Sequence, residues 1–170
     1  MSQVLEAPKV SAAGLFDLTG KVAVITGSSR GIGRAIAERM AEQGAKAVIS
    51  SRKAGPCEEV AAGINAKKAG HAIAVPANIS SQEDLQRLMD ETRKAFGKID
   101  ILVCNAASNP FYGSQLDITD DAFRKILDNN IIANNWMIKM VPTGMKERKD
   151  GSIIMISSIG GLRGSEVIGP

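Results

Sequence analysis

The chain has 170 residues, of which 44% are hydrophobic and 23% are charged, and its formal net charge is +3. This length suits one domain with a hydrophobic core and excludes two large domains. The charges are spread along the chain without a basic stripe interleaved with aromatic residues, so nucleic-acid binding is not expected. A mildly basic protein of this kind suits an anionic small ligand.

The start of the chain and its cysteines suggest a location. Residues 1–16 lack an apolar run long enough for a signal peptide or a membrane span, so we expect a short arm over residues 1–15. Cys57 and Cys104 have neither metal-ligand nor disulfide spacing. We therefore expect free thiols, no metal site and a cytoplasmic location.

Short apolar runs alternate with longer amphipathic stretches, which is typical of βαβ units and predicts an α/β domain over residues 16–170. The predicted strands are 22–26, 47–50, 72–75, 101–105 and 152–157. The predicted helices are 31–43, 56–69, 81–96 and 118–146, the last with a bend at Pro142. Because the strands are nearly uniformly apolar, helices should cover both faces of a Rossmann-type, doubly wound parallel sheet.

A glycine-rich turn follows the first predicted strand, where residues 26–33 read Thr-Gly-Ser-Ser-Arg-Gly-Ile-Gly. Gly27 allows a sharp turn, Gly31 lets the backbone approach a pyrophosphate, and Gly33 permits close packing of helix and strand. The unpaired amides at the start of the helix then face the negative charge. The turn therefore predicts dinucleotide binding, and an ordinary glycine-rich turn is the alternative.

The spacing Thr-Gly-x-x-x-Gly-x-Gly resembles that of the short-chain dehydrogenase/reductase family, and other motifs follow in the family's order. The lead-in at 18–25, Leu-Thr-Gly-Lys-Val-Ala-Val-Ile, is similar to the usual one. Asn105-Ala106 closes the fourth strand, Asn130 lies on the next helix, and Ile-Ser-Ser at 156–158 closes the fifth strand. The resemblance extends from about residue 16 to the end of the chain.

The resemblance implies a nicotinamide dinucleotide as cofactor. The expected contacts are Gly27, Ser29, Arg30, Gly31, Ile32, Gly33, Ser51, Arg52, Asn78, Ile79, Asn105, Ala106 and Ala107. Asn78 stands where the family commonly has an aspartate that accepts a bond from the adenine amino group, and an amide oxygen can accept the same bond. Asn105 either contacts the adenosine ribose or braces the central sheet.

The residues after the second strand indicate which dinucleotide binds. An NAD-preferring member has an acid there, which binds the ribose hydroxyls and would repel a phosphate. This chain reads Ser-Ser-Arg-Lys at 50–53, without an acid. Arg52, flanked by Arg30, can pair with a 2′-phosphate, so NADP is favoured over NAD. The alternative is that Arg52 is a solvated surface charge.

The resemblance also implies catalytic residues. In the family a serine holds the substrate oxygen, a tyrosine is the acid/base, a lysine lowers the pKa of that tyrosine, and an asparagine holds a water of the proton relay. Ser158 matches the serine and Asn130 the asparagine, although the neighbouring Asn129 leaves that register open. The alternatives are a simple strand-end hydroxyl and a polar residue that kinks a helix.

The tyrosine and lysine have no counterpart. The tyrosine is expected about thirteen residues after the serine, and Pro170 is the twelfth after Ser158. Tyr112, the only tyrosine, lies in the loop after the fourth strand and has no lysine four residues on. We therefore expect the N-terminal part of a longer single-domain enzyme, inactive alone, with its fifth strand an exposed apolar edge.

The loop at 105–113 and residues 50–53 look like the branch that contains NADP-dependent carbonyl and retinal reductases. Phe111 and Tyr112 are either an apolar wall for the substrate or part of the packing of the loop. The prediction is an NADP(H)-dependent oxidoreductase of the EC 1.1.1 type, acting on a small-molecule carbonyl or alcohol as a homodimer or homotetramer. A non-catalytic dinucleotide-binding module and an NAD-dependent alcohol dehydrogenase are the alternatives.

Overall fold

The computed structural model describes residues 14–163, so most of the predicted arm and residues 164–170 lie outside the described part. The strands are β1 Val22–Thr26, β2 Lys46–Ser50, β3 Ala72–Ala74, β4 Ile101–Cys104 and β5 Ser152–Met155. The helices are α1 Gly31–Glu42, α2 Ala54–Lys67, α3 Gln82–Phe96, α4 Asp120–Leu127, α5 Ala133–Met140 and α6 Pro142–Arg148. A π-helical turn covers Asp128–Ile132, and a 3-10 turn covers Ile159–Leu162.

The five strands form one sheet in the order β3-β2-β1-β4-β5, and every neighbouring pair is parallel. Val24 of the central strand β1 lies opposite Val48 on one side and Leu102 on the other. The chain passes from β1 outward to β3 and then returns to β4, so the strand order reverses beside β1. This topology confirms the predicted Rossmann-type parallel sheet, whose ligands bind at the carboxyl edge beside such a reversal.

The two faces of the sheet are covered by separate apolar clusters. On one face, Val24 and Leu102 pack with residues of α3, α5 and α6 such as Met137. On the other face, Ile25 packs with residues of α1 and α2 such as Val60. Burial on both faces explains why β1 and β4 read as continuous apolar runs rather than as alternating ones.

Helix starts follow the capping residues that the sequence offers. The Ser81 side chain accepts a hydrogen bond from the Asp84 amide at the start of α3, and Thr119 accepts one from the Ala122 amide at the start of α4. Such a cap contributes about 1 kcal/mol. Both caps therefore hold the first turns of helices that leave the carboxyl edge.

The prediction of one helix over 118–146 is only partly right. The structure breaks this stretch at the π-helical turn 128–132, and α6 starts at Pro142, where a bend was expected. Proline lacks the amide that would continue the α5 ladder, which explains the second break. The π-helical turn coincides with Asn129 and Asn130, whose side chains bond to residues outside the helix.

The β5 strand is an edge, as expected. It pairs with β4, and all four of its residues are exposed; the exposed fraction of the Met155 side chain reaches 62%. Ile153 and Ile154 are likewise exposed, so apolar surface remains in contact with water along this edge.

In the described part of the chain, the helices are too short or too polar to cross a bilayer.

Candidate functional site

The glycine-rich turn lies at the carboxyl end of β1, beside the end of β2. Thr26 pairs with Ser50, and the Ser28 amide continues the contact by donating to the Ser50 carbonyl oxygen at 3.0 Å. The buried Ser28 hydroxyl accepts from the Ser50 amide at 2.9 Å and donates to the Ile25 carbonyl at 2.7 Å. Ser28 was not among the predicted site residues, yet its hydroxyl fixes the turn to β2.

Gly33 lies where helix α1 passes closest to this turn. A Cβ atom at Gly33 would lie 2.4 Å from the Gly27 carbonyl oxygen and 2.5 Å from Asn105 Nδ2. Gly27 itself has a φ of 67°, in the left-handed region, and a Cβ there would lie 2.9 Å from the same amide. This is the close packing expected of Gly33, and no larger side chain fits between the three residues.

The start of α1 presents open backbone amides. Arg30 precedes the helix without making a side-chain cap, and the first turn contains no acid. Gly31 and Ile32 are exposed, and a Cβ atom at Gly31 would have no neighbour within 4 Å. The amides and the positive end of the helix dipole therefore face unfilled space, which is an arrangement that binds anions. A pyrophosphate fits this site because the surface above it is open and uncapped.

Asn105 braces the centre of the carboxyl edge. Its Nδ2 donates to the carbonyl oxygens of Thr26 at 2.9 Å and Gly27 at 3.2 Å. Thr26 Oγ1 in turn accepts from the amides of Asn105 and Ala106, both at 3.1 Å. Of the two roles considered for Asn105, the structure shows the bracing role, and a ligand contact by its side-chain oxygen stays a prediction.

The segment after β2 is electropositive. Arg52 and Lys53 are exposed, as is Arg30 in the neighbouring turn. Within residues 14–163, neither Arg52 nor Arg30 forms a salt bridge. Ser51 is half-buried, and its hydroxyl lies 3.1 Å from Cys57 Sγ. Two unpaired guanidinium groups near the carboxyl ends of β1 and β2 suit a dianionic phosphate.

The loop after β3, residues 76–81, contains the predicted contacts Asn78 and Ile79 and is held by the first turns of α3. Asp84 Oδ2 accepts from the Asn78 amide at 2.8 Å, and Arg87 pairs with Asp84 Oδ1 at 3.0 Å. The Asn78 amide, and then Arg87, lower the pKa of the Asp84 carboxyl below its ordinary value. The carboxylate is therefore ionised at neutral pH and keeps the Asn78 backbone in place.

Asn130 holds the loop after β4, residues 105–113. Its Oδ1 accepts from the Ser108 amide and its Nδ2 donates to the Ser108 carbonyl, both at 2.9 Å. A role in kinking the helix does not by itself describe Asn130, because its side chain makes two hydrogen bonds to the loop after β4. The adjacent Asn129 also reaches Ser108, through the serine hydroxyl at 2.7 Å.

Ser158 follows β5, the strand next to β4, so it lies at the same edge of the sheet. Its side chain is exposed, and its hydroxyl oxygen accepts from the Gly160 amide at 3.1 Å. The hydroxyl hydrogen remains available to donate to a ligand. No hydrogen bond joins Ser158 to Asn130 within residues 14–163; Asn130 bonds to the loop after β4, and Ser158 follows the strand that pairs with β4.

Other candidates for acid/base or metal chemistry are a tyrosine, the two cysteines and the acidic side chains. Tyr112 is 75% exposed in the loop after β4. Burial raises the pKa of the Cys104 thiol to about 11, so this thiol stays neutral near pH 7. Both cysteines are free and buried. Among residues 14–163, no group of three or more His, Cys, Asp or Glu side chains could hold a metal ion.

Several residues of this edge were not predicted as site residues: Ser28, Ser80, Asp84, Ser108 and Asn129. The Asn-Asn doublet at 129–130 offered a weak signal, because a second doublet at 134–135 stands in the same helical pattern. The serines have ordinary loop sequences. Their roles come from contacts between distant segments.

A parallel sheet with an uncapped glycine-rich helix start at its strand reversal defines a nucleotide-binding α/β domain. The model of a family described as short chain dehydrogenase matches residues 21–170. The chain therefore belongs to the short-chain dehydrogenase family, as its motifs predicted.

Relatives named "Dehydrogenase/reductase SDR family member 4" are similar over most of the chain. The Rattus norvegicus protein is 39% identical over 153 residues, which are 90% of this chain and 54% of the relative. The Homo sapiens protein is 40% identical over 156 residues, covering 90% and 55%. The chain thus spans about half the length of the curated relatives it matches.

A solved structure shares the fold. A short-chain type dehydrogenase/reductase from Mycobacterium marinum superimposes with a TM-score of 0.85 and 30% sequence identity. The match covers 94% of this chain and 65% of that one. Membership of the family implies a nicotinamide dinucleotide cofactor.

Proposed function

We propose that this protein is an NADP(H)-dependent oxidoreductase of the EC 1.1.1 type that acts on a carbonyl or alcohol. The observation that carries the cofactor preference is the pair Arg30 and Arg52 near the ends of β1 and β2, both exposed and without a salt bridge to any residue of 14–163. No acid occurs at residues 50–53 to bind the ribose hydroxyls of NAD. NAD is the second choice of cofactor.

Different residues of the carboxyl edge would bind different parts of the cofactor. The amides of the α1 start, beside Gly31 and Ile32, would hold the pyrophosphate. Asn78 and Ile79 lie in the adenine-side loop. The remaining residues proposed to contact the cofactor are Gly27, Ser29, Gly33, Ser51, Asn105, Ala106 and Ala107. When bound, the nicotinamide supplies or accepts the hydride.

The reacting oxygen of the substrate would bind at Ser158, whose hydroxyl hydrogen is available to donate. Asn130 would keep the loop after β4 in position through its two bonds to Ser108. The Ser158 hydroxyl would then stabilise the negative charge that develops on the substrate oxygen as hydride is transferred. The loop at 105–113 and residues 50–53 support the carbonyl and retinal reductase branch.

The chain's surface supports two further parts of the proposal. Apolar side chains are exposed at the end of α4 and in the π-helical turn, namely Leu127, Ile131 and Ile132, and they support a homodimer or homotetramer. The buried free thiols Cys57 and Cys104 support a cytoplasmic location, where thiols stay reduced.

The cofactor preference is tested by reversing one charge. In Arg52→Asp we expect NADPH binding to weaken by roughly 10- to 100-fold, because a charge-assisted bond to the 2′-phosphate is replaced by repulsion. NADH binding should be unchanged or tighter. Dissociation constants from fluorescence titration measure both effects.

Lys94→Asp is the matched control for this experiment, because it changes the charge equally near the far end of α3, away from the carboxyl edge. It should leave the ratio of the NADPH and NADH constants unchanged. Tighter binding of NADH than NADPH by the unaltered protein would reject the NADP assignment.

The second candidate function is a binding module without activity, which measurable turnover by this chain would reject. Ser158 favours an enzyme, because its exposed hydroxyl can donate to a substrate oxygen and a pure binding module does not need that donor. We propose that residues 1–170 alone do not turn over, because no general acid among the described residues bonds to Ser158 at neutral pH. NADPH oxidation with a panel of carbonyls should be undetectable for this chain, and measurable turnover would show that another residue supplies the proton.

A further inference from the structure

One buried side chain joins the loop after β3 to the loop after β4. Asn129 lies in the π-helical turn and is only 4% exposed. Its Oδ1 accepts from the Ser80 hydroxyl at 2.6 Å, and its Nδ2 donates to the Ser108 hydroxyl at 2.7 Å. Both polar atoms of the amide are thus bonded, one to each loop.

The two loops come from strands that are not neighbours. In the sheet, β3 and β4 are separated by β2 and β1. The loop after β3 contains Asn78 and Ile79, and the loop after β4 begins with Asn105 to Ala107. Asn129 therefore connects two segments that we propose as cofactor contacts across the carboxyl edge.

The bridge differs from the contact made by Asn130. The Asn130 side chain bonds to the Ser108 backbone. The Ser80 hydroxyl, in contrast, makes its hydrogen bond with Asn129 alone within residues 14–163. An amide in this place also sets the direction of both hydroxyl groups: Ser80 must donate, and Ser108 must accept.

We propose that Asn129 is a positioning residue that couples the loop after β3, residues 76–81, to the loop after β4, residues 105–113. Ordering of either loop by a bound dinucleotide then favours the ordered state of the other. This inference rests on the proposed function, because the ligand is the dinucleotide of that site. A buried amide with two bonds is suited to this role, since removing one partner leaves a polar atom unpaired.

Variants of the two serines separate coupling from simple packing. In Ser80→Ala, where the altered side chain is exposed, we expect the NADPH dissociation constant to rise roughly 3- to 10-fold. Hydrogen exchange should become faster in residues 105–108 as well as in 76–81. Ser80→Thr keeps the hydroxyl and should restore values near those of the unaltered protein. Ser114→Ala removes a hydroxyl of the β4 loop region that does not contact Asn129, and it should change neither readout.

The double variant provides the decisive comparison. Because both hydroxyls act through Asn129, Ser80→Ala combined with Ser108→Ala should weaken NADPH binding by less than the product of the two single effects. Asn129→Leu, of similar volume, should resemble the double variant. Thermal unfolding midpoints identify any variant whose loss of affinity follows from loss of folding.

Two results would overturn the coupling. One is a folded Ser80→Ala variant that binds NADPH normally and leaves exchange in 105–108 unchanged. The other is a double variant whose effect equals the product of the singles, since the serines are then independent. If the unaltered protein binds no nicotinamide dinucleotide, the proposed function fails, and hydrogen exchange alone then decides whether the loops are coupled.

Discussion

Gly33→Ala is expected to abolish measurable NADPH binding and to lower the free energy of unfolding by about 1–3 kcal/mol. The added methyl would lie 2.4 Å from the Gly27 carbonyl oxygen and 2.5 Å from Asn105 Nδ2. Neither atom can move alone, because the amide also bonds to the Thr26 carbonyl. The variant must therefore push α1 away from the turn, which misplaces the amides proposed to bind the pyrophosphate.

Gly63→Ala is the control for this effect. Gly63 lies in α2, is exposed, and would place its Cβ where no atom lies within 4 Å. Alanine is favoured over glycine within helices by about 1 kcal/mol, so this variant should be as stable as the unaltered protein or more so. Urea unfolding and NADPH titration measure both variants. Normal NADPH affinity in Gly33→Ala would mean that the close approach is not needed for binding.

Asp100→Ala is expected to lower the free energy of unfolding by roughly 2–4 kcal/mol while changing NADPH affinity by less than about twofold. The carboxylate is 1% exposed and accepts from the Val22 amide at 2.9 Å. It also pairs with Lys98 at 2.9 Å and with Arg148 at 3.2 Å. Its loss would leave a buried amide and two cations unpaired at the amino edge, opposite the candidate site.

Asp90→Ala provides the comparison for Asp100. Asp90 is exposed on α3 and pairs with Arg93 one helical turn away. Exposed pairs of this kind contribute about 0.5 kcal/mol or less. Chemical unfolding of both variants should therefore separate them clearly. Equal losses would show that the Asp100 network contributes no more than a surface ion pair.

The local sequence determines most of the α/β architecture. β1 is apolar up to Thr26 and β4 is apolar throughout because both faces of these strands are buried, and that pattern can be recognised without the structure. The π-helical turn could not be predicted from the sequence pattern. It coincides with the bonding of Asn129 and Asn130 to Ser80 and Ser108, and no rule of local periodicity contains those partners.

The site also has features that the sequence predicts and features that depend on the tertiary structure. The sequence by itself determined the glycine-rich turn, the absence of an acid at 50–53, and the family, because each depends on residue type at fixed spacing along the chain. Only the tertiary structure decided what Asn105, Asn129 and Asp100 contact. Their partners lie 79, 49 and 78 residues away, and the packing of the strands, helices and loops brings such distant groups within hydrogen-bonding distance.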